Sequence, residues 1–158
     1  MKKFAIEIKW GIIFTLVALL WMVLEKQLGW HDELISKHAV YTNLFAIPAI
    51  LVFVLAIFDK RKNYFHGKMT WLQGFLAGIG VTLVVAVLSP LSQYITTTMI
   101  TPEYFPNVIA YSVENGKLSQ EQAEKYFSLS NYIVQSIVGG VVMGVITSAI
   151  VAIFARKK

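Results

Sequence analysis

Four long apolar runs, set apart by short clusters of charge, organise this chain of 158 residues. Within each run the apolar residues cover every face of a helix, not the single stripe that a soluble helix turns to its core. Each run is close to the roughly 20 residues that a helix needs to cross a bilayer. The predicted spans are residues 8–28, 39–58, 70–98 and 128–155. The first is free of charge only from Trp10, so Lys9 belongs at headgroup level with its amine reaching outward. The third is uncharged from Met69 to Pro102 and the fourth from Tyr126 to Ala155, longer than the hydrocarbon requires, so both should tilt or protrude. Pro48 falls near the middle of the second, where it should kink the helix and deprive the Leu44 carbonyl of its donor. No second broken helix accompanies it, which favours a static kink over a hinge.

Between spans three and four, residues 101–127 carry the only soluble-looking pattern. Thr101 precedes Pro102 as a capping residue precedes a first-turn proline, and a helix is expected from there to Glu114. Gly116 reads as a stop, and Ser119 with Gln122 three residues on reads as a capping box. No breaker follows in "SQEQAEKYFSL", so this second helix is expected to run directly into span four. The predicted fold class is all-α: an integral membrane four-helix bundle with a short extracytoplasmic helical hairpin between spans three and four, one transmembrane domain over residues 1–158.

Composition agrees with this, at 56% hydrophobic residues, 15% charged and a mean hydropathy of +0.62. The apolar run at the start has no small-x-small site in "WMVLEKQ", so it is expected to stay as a signal anchor. Charge then orients the chain. Lys2, Lys3, Lys9, Lys60, Arg61, Lys62, Lys68, Arg156, Lys157 and Lys158, ten of the 14 basic residues, fall on one side of the predicted spans. The opposite side is mildly acidic. The expected orientation places both termini and the loop between spans two and three in the cytoplasm. The net charge of +5 gathers beside anionic headgroups, so membrane lipids are the expected partners and nucleic acid is not. The absence of cysteine removes disulfides, thiol nucleophiles and thiolate metal sites.

Small residues recur every four positions on two spans: Gly74, Gly78, Thr82 and Ala86 on the third, Gly140, Gly144, Ser148 and Ala152 on the fourth. Such stripes let helix backbones approach closely where lipid offers no hydrophobic reward for pairing. Packing of span three on span four is the favoured use, and a homodimer through one stripe is the alternative.

Candidate chemistry is sparse. The uncharged cores hold no ionisable group, which argues against a pump or proton-coupled carrier. Glu7, Glu25 and Asp59 lie near span ends and read as interfacial charges. His31, Asp32, Glu33 and His38 gather on the outer side, but their spacing matches no helical metal motif and a solvated loop accounts for them. No metal, cofactor or catalytic residue is therefore expected, and the protein is read as a non-enzyme. By depth, Asn43, Ser89, Gln93, Gln135 and Ser136 share one outer layer. They either line a shallow outward-facing pocket or simply mark the interface, bonding between helices.

The phrases "SPLSQYITTTMITPEYF" and "QSIVGGVVMGVITSAIVAIFARKK", together with the layout, resemble the domain of unknown function 4199 family of four-span bacterial inner-membrane proteins. The resemblance implies the same spans with a helical insertion between the third and fourth. It carries no activity and assigns no residue a role. The expected function is a structural or accessory membrane component, acting through its outer hairpin or lipid-facing surface on an unidentified membrane or periplasmic protein. The alternative is a small homo-oligomeric transporter or channel with the polar outer pocket.

Overall fold

Hydrocarbon leaves a backbone no water to bond, so apolar runs of this length satisfy their own amides as helices. The computed structural model describes residues 3–157; Lys2 and Lys158, counted above with the basic face, lie outside the described residues, as does Met1. The spans are α1 (Ala5–Gln27), a compound second span of α2 (Ile35–Tyr41), a 3-10 turn (Thr42–Phe45) and α3 (Ala46–Asn63), then α4 (Trp71–Ile95) continued by a π turn (Thr96–Ile100), and α7 (Leu129–Ala155). Between the last two lie α5 (Tyr104–Glu114) and α6 (Gln120–Tyr126). All four spans are long and apolar enough to cross a membrane, and the fold is all-helical.

The local signals act mostly as their chemistry requires. Ser119 accepts from the Gln122 amide while the Gln122 side chain returns to the Ser119 N–H, and Gly116 takes the left-handed conformation at φ 64° that ends α5. Pro106 falls in the first turn of α5, where its missing N–H is harmless. The 3-10 turn sits one turn before Pro48, where the α-helical bond to the Leu44 carbonyl is lost. Two expectations need correction. α5 begins at Tyr104, not at Pro102, because the Thr101 N–H bonds back to the Thr96 carbonyl and closes the π turn first. Nor does α6 flow into the fourth span: the chain breaks at Phe127, and the Ser128 hydroxyl caps α7 by accepting from the Asn131 N–H.

Helix α4 packs against α1, α3 and α7, with α7 its most extensive partner. Small residues fill the seams: Ala56, Val81, Ser148, Ala152 and Ala155 are buried, while Val87 and Phe154 stand 77% and 75% exposed. Large apolar groups outside and small ones inside is the arrangement that lipid permits and water would not. We call the end of the bundle that carries the chain termini the terminal end, and its opposite the distal end.

At the terminal end the acidic residues are embedded. Glu7 and Lys60 are both buried and meet at 2.8 Å, with the Lys60 ammonium also donating to the Lys3 carbonyl. Gly80 on α4 makes room, since a Cβ there would come within 2.7 Å of Glu7 Cγ. Asp59 accepts from Lys9, from Trp10 Nε1 at 2.6 Å and from Asn63. Glu7 thus lies near the span end, as an interfacial charge would, but is enclosed: α1, α3 and α4 close around it beside Lys60. Removing one partner strands a buried charge, so Glu7→Ala or Lys60→Ala should cost about 3–5 kcal/mol. The joint Glu7→Leu, Lys60→Met exchange should recover most of it; loss of helix on titration with SDS measures both, and neutral single variants would refute the pairing.

Candidate functional site

The register of α4 against α7 determines where the bundle is solid and where it is hollow. Toward the terminal end a Cβ on Gly74 would lie 3.3 Å from the Ala152 Cβ. One turn on, a Cβ on Gly78 would collide with Ser148, and one on Gly144 with Thr82. Gly74, Gly78, Gly144 and Ser148 are therefore close-approach residues. Gly140 is not: a Cβ there, or on Gly139, would meet nothing within 4 Å. The expectation that Gly140 continues the packing stripe is corrected, because opposite it the α4 surface leaves a hole.

That hole is a cavity of 390 Å³ lined by all four spans. Phe14, Ala18 and Met22 contribute from α1, and Ala46, Ala49 and Phe53 from the second span; Val85 and Met143 face it from α4 and α7. Its volume lies in the range of small-molecule sites. Along α4 it extends from Thr82 to Gln93, about 16 Å at the helical rise, from mid-span to the distal end. Asn43, Ser89, Gln93 and Ser136, four of the five residues expected in the polar layer, line it, joined by Thr42 and Ser92. Gln135 is exposed and absent from the lining, because it is the neighbour of Ser136 on a helix and points elsewhere.

The polar groups are mostly pre-engaged. Ser89 Oγ donates to Ser136 Oγ at 3.2 Å, Ser136 donates to the Ile133 carbonyl, and Asn43 Nδ2 donates to the Ala39 carbonyl at 2.8 Å. Thr15 and Thr82 hydroxyls bond back to their own helices. What such hydroxyls still offer is oxygen lone pairs. The Gln93 side-chain amide, like the Ser92 and Thr147 hydroxyls, has no protein partner among the described residues and is free to donate. No ionisable side chain among the described residues lines the cavity.

A second cluster lies at the distal end. Glu25 lies at the last turn of α1, near the span end where an interfacial charge was expected, and is fully buried. It accepts from Trp21 Nε1 at 2.5 Å and lies 2.9 Å from His31 Nε2, with His38 Nδ1 at 3.6 Å. Of the outer group foreseen as His31, Asp32, Glu33 and His38, the two histidines turn inward to Glu25 and the two carboxylates remain exposed. The Nδ1 atoms of His31 and His38 are buried without a hydrogen-bond partner among the described residues. Tyr104 of α5 packs its ring 5.0 Å from each imidazole, and its hydroxyl meets that of Tyr132 at 3.0 Å. Burial and the neighbouring Tyr132 push the Tyr104 phenol above its ordinary pKa, so it stays a neutral donor. Glu25 escaped the sequence reading because His31 follows it by six residues through a turn, outside any helical spacing.

The contrast between two glycines on α7 is testable. Gly140→Leu should fill open space and leave the melting temperature nearly unchanged, whereas Gly144→Leu should drive α7 off Thr82 and lower it sharply. Equal effects would mean that the cavity is not open at Gly140.

No curated protein and no solved structure matches the chain. The model of a family described as protein of unknown function, DUF4199, matches residues 9–157. Covering nearly the whole chain, that match makes this multi-pass membrane protein a member of the DUF4199 family.

Proposed function

We propose that the protein is a non-enzymatic accessory component of the bacterial inner membrane that holds a neutral, mainly apolar molecule between its spans. The observation that carries this reading is the 390 Å³ cavity lined by all four spans, with no ionisable group among the described residues. A charged ligand would find no counter-ion there, and in a low-dielectric site that cost is prohibitive. The polar layer at its distal end, with Gln93 as a free donor and Ser89 and Ser136 as acceptors, suits a single carbonyl or hydroxyl at the end of a hydrocarbon body. Uncharged lipids such as long-chain and isoprenoid-like alcohols have that chemistry.

Transport is the second reading, favoured by one observation: the cavity is bordered by both spans that carry an internal proline, through Ala46 and Ala49 beside Pro48 and Ser89 beside Pro90, although α4 runs unbroken through Pro90. In either case the basic clusters support cytoplasmic termini and a distal end facing the periplasm.

Native mass spectrometry of protein extracted in mild detergent should find a neutral lipid-class adduct. Gly140→Phe should lose the adduct while keeping the fold, and Gln93→Leu should weaken it. Release of the adduct across sealed vesicles would establish transport; an adduct-free protein would sink both readings. Reporter fusion after Gly116 should give a periplasmic signal, and a cytoplasmic one would reverse the orientation.

A further inference from the structure

Beyond the cavity, we propose that Glu25, His31 and His38 bind one divalent transition-metal cation of the zinc class, which clasps the distal end of α1 to the segment that begins the second span. One ligand atom from each residue lies within 4.8 Å of the other two. In a tetrahedral zinc site with bonds of 2.0–2.1 Å, ligand atoms stand about 3.4 Å apart. The separations from Glu25 Oε2, 2.9 Å to His31 Nε2 and 3.6 Å to His38 Nδ1, straddle that value.

A simple ion pair does not account for the group. His31 Nε2 lies at hydrogen-bond distance from the carboxylate, at 2.9 Å, but His38 does not: its buried Nδ1 faces the same oxygen at 3.6 Å and goes without a hydrogen bond among the described residues. An ion between the three gives that lone pair an occupant. Of the three, the carboxylate is held by a hydrogen bond of its own, as a metal's ligands commonly are, and the backbone of His31 is fixed as well. Trp21 Nε1 fixes Glu25 from one side, and Asn107 of α5 donates to the His31 carbonyl at 3.0 Å. The cluster also lies at the carbonyl end of α1, where the helix dipole favours a cation. Two imidazoles and one carboxylate select zinc, cobalt or nickel over calcium or magnesium, which require more oxygen ligands. Three protein ligands leave a fourth position for water, and His38, with a side chain 16% exposed, provides the way in.

The test uses tag-free, full-length protein in detergent, stripped with chelator and then titrated. Zinc should bind at one equivalent per chain and raise the melting temperature, and cobalt should give the intense visible absorption of a four-coordinate site. His31→Ala and His38→Ala should each weaken zinc at least about tenfold. His38→Gln, which keeps the size of the side chain, should weaken it in a protein that still folds. Asp32→Asn with Glu33→Gln should bind as the parent does, since both side chains are exposed. Failure of the parent to bind any of these ions, or undiminished binding in the folded His38→Gln protein, would overturn the assignment without touching the cavity reading.

Discussion

The close approach of α4 and α7 is the constraint on which the remaining architecture depends. Lipid gives two apolar helices nothing for touching, so contact must come from packing that only small residues allow. Gly78 against Ser148 and Thr82 against Gly144 supply it, and the buried Ser148 and Thr82 hydroxyls are satisfied within their own helices, leaving no unmet polar group in the seam. With α7 fixed there, α1 and α3 close over the other faces of α4 in the terminal half, where Phe53, Ala56 and Val81 form a core. In the distal half Gly139 and Gly140 carry no side chain to fill the same width, and the cavity is the remainder.

Charge obeys the same rule of close accounting. Each acidic residue embedded in the bundle sits within a turn or two of a helix end and meets a specific partner. Lys60 answers Glu7, Lys9 answers Asp59, and the imidazoles answer Glu25. The tryptophans follow, with Trp10 and Trp71 at the terminal end and Trp21 and Trp30 at the distal end, the two belts expected of a membrane protein. Several join the polar network: Trp10 donates to Asp59 and Trp71 Nε1 to the Ala149 carbonyl.

Spans and fold class were legible because length and all-round apolarity are properties of contiguous sequence. So was the polar layer, since the helical rise converts residue number into depth, and Asn43, Ser89, Gln93 and Ser136 emerge on the cavity. Depth does not give rotation, which is why Gln135 was placed with Ser136 and faces away from it. Burial of Glu7 and Glu25 was illegible for a related reason: an acidic residue near a span end looks solvated until a partner distant in sequence is known, and Lys60 stands 53 residues from Glu7. The break at Phe127 carries no glycine or proline. It arises from the local competition that the Ser128 cap wins.

The two candidate sites are neighbours, and the matter between them bears on both. Phe45 lines the cavity, Trp21 packs on Phe45 with ring centroids 5.8 Å apart, and Trp21 Nε1 bonds Glu25. Trp30 covers Trp21 from the distal side and packs in turn on Tyr41. Aromatic faces exclude water while the indole N–H steadies the carboxylate, and Thr42, which lines the cavity, is the polar side chain that reaches Glu25 past the rings. Trp21 is answerable to both sides at once. Its hydrogen bond to Glu25 holds the ring that backs Phe45, and the position of Phe45 shapes the cavity wall. The Glu25 carboxylate and the cavity wall are thus linked by two rings in series.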